Sequence, residues 1–224
     1  MFNEFIYQNL KIAETDEVSV ECLSNIEKRY NIVKVFVNAE NKHFELLSNL
    51  IGGGYYFVDR TLDVSIALSK VNDYERLIRL PIVKTTEYKK EILQIAQKSF
   101  PYDRRFHLQL NYNQQLANVV IADWVDKLDE VYVCLYKDMP IGFLALIQID
   151  NKNSFVHLAT VDEGYRMTGA AMALYAKAIQ VSKENNYLNL NGRISSKNIA
   201  VMNLYANFGA KFSNPIDIYI KEVK

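Results

Sequence analysis

At residue 161 the chain changes its rhythm, and that change restricts the fold more than any other feature of the sequence. Before it, Glu130 to Lys137 and Ile141 to Asp150 are strand-like runs joined by Asp138-Met139-Pro140, which is hairpin spacing. A third strand, Ser154 to Val161, follows the polar link Asn151-Lys152-Asn153. After it the pattern predicts a helix (Thr168 to Asn185), a strand (Leu188 to Arg193), a helix (Asn198 to Phe208) and a closing pair of strands (Lys211 to Ser213, Ile216 to Lys221). An antiparallel meander that passes into alternating helix and strand predicts an α/β fold with a mixed, mostly antiparallel sheet flanked by helices.

Upstream, Arg76 to Lys84 reads as a strand, and Thr85-Thr86-Glu87 can cap a helix running to about Phe100. Pro101 to Arg105 is a charged loop. A second helix carries Leu116, Val120, Trp124 and Leu128 at successive i+4 positions, one apolar stripe for a core. The polar stretch Lys70 to Glu75 marks a boundary, giving a small N-terminal α/β domain over 1–75 and a main domain over 76–224. Within the first, Asn31 to Asn38 reads as a strand and Glu40 to Leu50 as a helix ending at Gly52-Gly53-Gly54. Two strands follow, the second shown by Leu62, Val64, Ile66 and Leu68 alternating with Asp63, Ser65 and Ala67. The glycine triplet lacks a following Lys-Ser/Thr and reads as a turn, not a phosphate loop. No internal repeat is visible.

Charge excludes several classes of partner. The 26 basic and 26 acidic residues among 224 cancel, and no Lys/Arg run exceeds a pair, which argues against nucleic acid and anionic membranes as partners. No apolar run approaches the roughly 18 residues or more that span a bilayer, and the start lacks a signal-like positive segment, so the expected location is the cytoplasm. Two cysteines, Cys22 and Cys134, make neither a disulfide framework nor a zinc site; both read as buried thiols, and no metal is expected.

Only 8 glycines occur, so each marks backbone geometry worth inspecting. Gly164 and Gly169 fall in Val161-Asp162-Glu163-Gly164-Tyr165-Arg166-Met167-Thr168-Gly169-Ala170-Ala171, between a strand and a helix. Such a turn leaves first-turn N–H groups of the helix unpaired, an anion site that suits a pyrophosphate with Arg166 beside it. The same residues also suit an ordinary strand-to-helix turn with close packing. Downstream, Asn198 to Ala210 is a helix with a Gly209 stop, and Val201, Leu204, Tyr205 and Phe208 share one face, where Tyr205 also serves as a plain core aromatic.

The two segments, in this order and spacing, resemble the GNAT superfamily of acyl-CoA N-acyltransferases over about residues 77 to 224. Arg166-Met167-Thr168-Gly169-Ala170-Ala171 is similar to its Gln/Arg-x-x-Gly-x-Gly/Ala pyrophosphate loop, with Met167 and Ala171 standing where many members have glycine. The helix with Asn198, Tyr205 and Gly209 is similar to the one that carries its CoA-side Asn and Tyr. The resemblance implies acetyl-CoA as co-substrate. It implies that Leu158, Thr160 and Val161 lie on a strand splayed from Leu188 to Arg193 whose N–H groups hold pantetheine and polarise the thioester. Tyr205 would protonate the departing thiolate. Many relatives carry a Glu base on the fourth strand of the fold; here Ser154 to Thr160 offers only His157, serving either as base or as a residue hydrogen-bonded in the sheet.

A narrower resemblance, to TDP-fucosamine acetyltransferases, rests on Ser99-Phe100, Arg105-Phe106-His107, Ala122-Asp123-Trp124, Tyr55 to Asp59 and Ile218-Tyr219-Ile220. It implies acetylation of the 4-amino group of a TDP-4-amino-4,6-dideoxy sugar for surface polysaccharide. Arg104, Arg105 and His107 would hold the nucleotide sugar, guanidinium groups pairing with diphosphate oxygens. Another amine acceptor, or acyl-CoA binding without catalysis, fits the same loop. Homodimerisation through exposed sheet or helix surface is compatible with the sequence.

Overall fold

Alternating apolar residues build the strands of this chain, and small residues let its helices approach them. The computed structural model describes residues 1–7, 10–40, 44–100, 114–128 and 131–223. The hairpin β1 (Phe2–Tyr7) and β2 (Leu10–Thr15) leads to α1 (Val20–Glu27), β3 (Ile32–Asn38), α2 (Phe44–Gly52) and the 12-residue β4 (Tyr56–Ala67). Then come β5 (Ile82–Thr85), α3 (Lys89–Ser99), α4 (Gln114–Asp126), β6 (Val131–Tyr136), β7 (Met139–Asp150) and β8 (Asn153–Val161). The chain closes with α5 (Ala170–Glu184), β9 (Asn189–Ser195), α6 (Ile199–Asn207) and the 12-residue β10 (Lys211–Glu222).

Among the described residues ten strands join one sheet in the order β1-β2-β3-β10-β4-β9-β8-β7-β6-β5. Only β2–β3 and β8–β9 pair in parallel; the other neighbours are antiparallel. The expected mixed, mostly antiparallel sheet with flanking helices is therefore present. The boundary expected near residue 75 falls between β4 and β5, and the sheet continues across it, because β4 lies between β10 and β9.

That order contains a repetition of topology. From β1 to β4, and again from β7 to β10, the chain makes an antiparallel hairpin, a helix, a strand parallel to the second hairpin strand, a helix and a 12-residue strand. The last strands are exchanged: β4 pairs with β9 of the second half and β10 with β3 of the first. The sequence shows no repeat because pairing direction and order recur while the residues themselves do not.

Helices cover both faces of the sheet. On one, α5 packs through Ala170, Ala173, Ala176 and Ala178, whose small side chains allow close approach, and Leu174, Ile179, Val64, Ile66, Leu144, Leu190 and Tyr205 fill the core. On the other, Ile92, Ile95 and Ala96 of α3 and Leu116, Val120 and Ile121 of α4 cover Phe143, Leu158 and Ile218. Each fully buried large aliphatic contributes about 1.5–3 kcal/mol. A third cluster joins α1 and α2 to Val33, Val35, Val37 and Tyr219.

Several local expectations are corrected. The two strands expected before residue 70 are one strand, β4. The expected closing pair is also one strand, β10, with its irregularity between Ser213 and Ile216. Arg76 to Lys84 is a 3-10 turn at Glu75–Leu77 followed by the short β5, since Pro81 withholds an N–H from the ladder. Thr85 does not cap α3: its Oγ1 accepts from Glu87 N, and α3 begins after Tyr88 without a side-chain cap. The Lys137–Asp138 corner has both φ positive, as a tight hairpin turn between twisted strands requires. Cys134 is buried, which pushes its thiol up to about 11, whereas Cys22 is only half-buried. On α4, Leu116 and Val120 are buried and Trp124 is half-buried; the helix ends at Asp126, so Leu128, also buried, follows it and does not extend the helical stripe. No helix among the described residues is long and apolar enough to cross a membrane.

Candidate active site

Strands β8 and β9 run parallel from Asn153 opposite Asn189 to Val156 opposite Gly192, and there their pairing stops. Beyond it, β8 continues to Val161 paired only with β7, while β9 continues to Ser195 paired with Thr61 to Asp63 of β4. The two strands part into a cleft whose walls are backbone edges. A bulge helps to open it: Ala145 faces Leu158 and Leu146 faces Val156, so His157 is the extra residue. Leu158 and Val161 are buried and Thr160 is half-buried.

At the end of β8 the chain enters the turn whose glycines drew notice. Asp162 accepts from Gly164 N and starts a 3-10 turn, Glu163–Thr168, in which Thr168 Oγ1 donates to Tyr165 O at 2.6 Å. Gly169 then takes φ 82°, a left-handed conformation costly to any residue with a Cβ, and α5 begins. No side chain caps α5, and Ala173 N, bonding to Gly169 O, is its first backward bond. A Cβ on Gly169 would meet open space, Ala170 is buried, and Ala171 is half-buried. The helix start thus has no side-chain cap, with Gly169 exposed, Ala170 buried, and the positive dipole end beside the exposed Arg166. Met167 is 98% exposed and obstructs nothing.

The corresponding turn of the first half differs in strand pairing and in capping. There β2–β3 pairing runs to Thr15, the last residue of β2, so no cleft opens. Ser19 accepts from Cys22 N and caps α1, and the turn carries Asp16 and Glu17. Both turns carry two acidic residues, Asp162 and Glu163 in the second; the capped helix and the lack of an arginine are what make the first turn the poorer anion site.

Helix α6 reaches under the cleft. Asn198 Oδ1 accepts from Val201 N at 3.2 Å, which caps α6. Tyr205 is 1% exposed, its ring edge-on to Tyr175 with centroids 4.9 Å apart, and its hydroxyl lies against the α-carbon of Gly192. Burial first, and then the neighbouring Tyr175 hydroxyl, raise the Tyr205 pKa well above the ordinary phenol value. The phenol therefore keeps its proton at neutral pH.

On the opposite face, His157 stacks on Trp124 of α4, centroids 5.7 Å apart at 21°. His157 remains exposed as a residue, and the partial burial of its ring lowers the imidazole pKa below 6.5, which favours the neutral form at pH 7. By alternation with the buried Leu190, Gly192 and Ile194, residues Asn189, Asn191 and Arg193 lie on this same face. Asn189 and Asn191 each donate to Asn153 Oδ1, and Arg193 donates to Asp63 Oδ1 and Thr61 Oγ1. Arg104, Arg105 and His107 lie outside the described residues. Among the described residues no group of three or more His, Cys, Asp or Glu is arranged to hold a metal ion.

The strand parting is followed along the chain by the uncapped turn, and the Tyr205 hydroxyl lies against Gly192, where the β8–β9 pairing ends. The seat of Tyr205 against Gly192, its contact with Tyr175 and the stack of His157 on Trp124 do not follow from any pattern in the sequence. Gly192 alone left a trace, as one of few glycines placed inside a strand.

The fold has known counterparts. The 224-residue chain is 15% identical to a conserved Staphylococcus epidermidis protein of unknown function, covering 99% of this chain and 91% of that one, with a TM-score of 0.70. A GCN5-related N-acetyltransferase from Sphaerobacter thermophilus is 12% identical, with 100% and 76% covered and a TM-score of 0.66. A tandem GNAT protein from the clavulanic acid biosynthesis pathway is 8% identical, with 95% and 75% covered and a TM-score of 0.61. No curated protein sequence matches the chain. The family model described as the acetyltransferase (GNAT) family matches residues 89–210, from the start of α3 through the uncapped turn, the cleft and the Tyr205 helix to Ala210. With more than half of its length under that model, and with the cleft and turn inside the match, the chain belongs to the GNAT acetyltransferase family.

Proposed function

We propose that the protein is an acetyl-CoA-dependent N-acetyltransferase that works by direct attack of an amine on the thioester. The observation that carries this reading is the parting of β8 from β9 after Val156 and Gly192, with an uncapped helix start at one end and a protonated Tyr205 beneath. Amides of Ala170 and Ala171, with Arg166, Met167, Thr168 and Gly169 forming the turn, hold the pyrophosphate. The β8 edge at Leu158, Thr160 and Val161 takes the pantetheine in the manner of an added strand and polarises the carbonyl. Asn198 supports the CoA side of α6.

The reaction balances with groups of this chain. The amine nitrogen forms a C–N bond to the acetyl carbon, the C–S bond breaks, and the ammonium proton leaves to His157 directly or through water. The thiolate takes a proton from Tyr205, which recovers one from solvent, giving amide and free CoA thiol. Positioned proton transfer of this kind contributes about 10²- to 10⁴-fold. Because the first half lacks both cleft and uncapped turn, each chain holds one acyl-CoA, and residues 1–75 supply β4 as an internal strand for the catalytic half.

For the acceptor we propose the 4-amino group of a TDP-4-amino-4,6-dideoxy sugar. The resemblance through Arg105-Phe106-His107 favours it, with Arg104 and Arg105 on the diphosphate and His107 beside them. The amides of Asn153, Asn189 and Asn191 and the paired Arg193 and Asp63 also give the His157 face neutral polar character, which suits hydroxyls better than a polycation. The family equally accommodates a peptide N-terminus or an amino acid. Thiol release measured with acetyl-CoA and a panel of TDP-amino sugars, amino acids, peptides and polyamines tests this choice: turnover confined to the sugars supports it, and turnover confined to another amine overturns it.

A further inference from the structure

We propose that Gly192 is a positioning residue for the acid step, and that its missing side chain fixes where the Tyr205 hydroxyl sits. This rests on the reading of Tyr205 as the group that protonates the thiolate. Three observations meet at this point. A methyl group built on Gly192 would overlap the Tyr205 hydroxyl and lie 3.2 Å from Cζ and 3.9 Å from Cε1, so that its three nearest neighbours all belong to Tyr205. Gly192 is also the last β9 residue paired with β8, so the hydroxyl it receives lies where the cleft begins.

The third observation is that Tyr205 has no room to yield. Tyr175 stands edge-on at 4.9 Å, and the ring is 1% exposed within a core that includes Leu190, Ile194 and Phe208. Close-packed interiors of this kind transmit a displacement instead of absorbing it. Any Cβ at position 192 therefore moves the phenol oxygen away from the strand edge along which the thioester lies. The φ of Gly192 is not left-handed, so backbone freedom does not account for a glycine here. Space for the hydroxyl does.

The test compares Gly192→Ala in two backgrounds, wild type and Tyr205→Phe, by steady-state thiol release and thermal unfolding. Tyr205→Phe removes the atom that the new methyl would strike. In wild type, Gly192→Ala is expected to lower kcat at least tenfold with the KM for acetyl-CoA within about twofold. In the Tyr205→Phe background the same substitution should change kcat by less than twofold, and the double variant should melt higher than Gly192→Ala alone. If Gly192→Ala does not fold, recovery of a folded double variant still supports the contact. An equal kcat loss in both backgrounds, an unchanged kcat in wild type, or a double variant no more stable than Gly192→Ala overturns the proposal. Failure of the acetyltransferase reading is seen separately, as absence of amine-dependent thiol release from the wild-type chain.

Discussion

Val156 and Gly192 are the last residues at which β8 and β9 face each other. From that pair onward one strand stays with β7 and the other pairs with β4, and the opening between them is where the proposed thioester would lie. The exchanged strand β4 matters here because it holds β9 in place once β8 has left. The N-terminal residues thus act on the site through the sheet.

The first prediction concerns cofactor stoichiometry. Calorimetric titration should show one acetyl-CoA per chain. Gly169→Val, which forces a β-branched residue to φ 82° beside the uncapped helix start, should weaken binding at least tenfold, or about 1.4 kcal/mol. Ser19→Ala, at the corresponding turn of the first half, should leave affinity unchanged. Two binding sites, or equal effects of the two substitutions, would place a cofactor in the wrong half.

A second prediction follows from the stack of His157 on Trp124. Burial depresses the imidazole pKa, so the base form is present above 6.5 and is lost as pH falls through the lower, folded-state value. The amine-dependent rate should therefore rise with pH along an acid limb centred below 6.5, and His157→Gln should remove that limb. A profile unchanged in His157→Gln would leave deprotonation to water alone.

Stability gives a third. Ser154 and Ser182 are fully buried and share a 2.7 Å hydrogen bond that ties β8 to α5, while Ser154 also donates to Asn189 O. Ser154→Ala leaves the Ser182 hydroxyl buried without this partner and should cost about 1–3 kcal/mol in urea unfolding. The double alanine variant should recover part of that loss, since removing both partners removes the orphaned group. A double variant whose loss is the sum of the two single losses would deny the coupling.

Much of this site was legible in the sequence where backbone geometry demands a residue type. Gly169 at positive φ, the small Ala170 and Ala171 and the Gly209 stop all leave such marks, and the meander that changes to alternating elements fixes the catalytic half. What stayed hidden depends on partners distant along the chain. Nothing near Leu62 to Leu68 shows that β4 will lie beside β9, and nothing near Tyr205 shows that its oxygen will meet Gly192. Even the repeated topology escaped notice, because exchange of β4 and β10 between halves is a property of pairing. The expected cap at Thr85 failed for a local reason: its hydroxyl closes a turn with Glu87 before the helix starts.

The most direct test of the account is the turnover of Tyr205→Phe, measured as amine-dependent release of CoA thiol from acetyl-CoA. Loss of kcat by about 10²- to 10⁴-fold with the KM for acetyl-CoA unchanged is the predicted result. An unchanged kcat in the variant, or a wild-type chain that binds acetyl-CoA and releases no thiol with any amine, would contradict it.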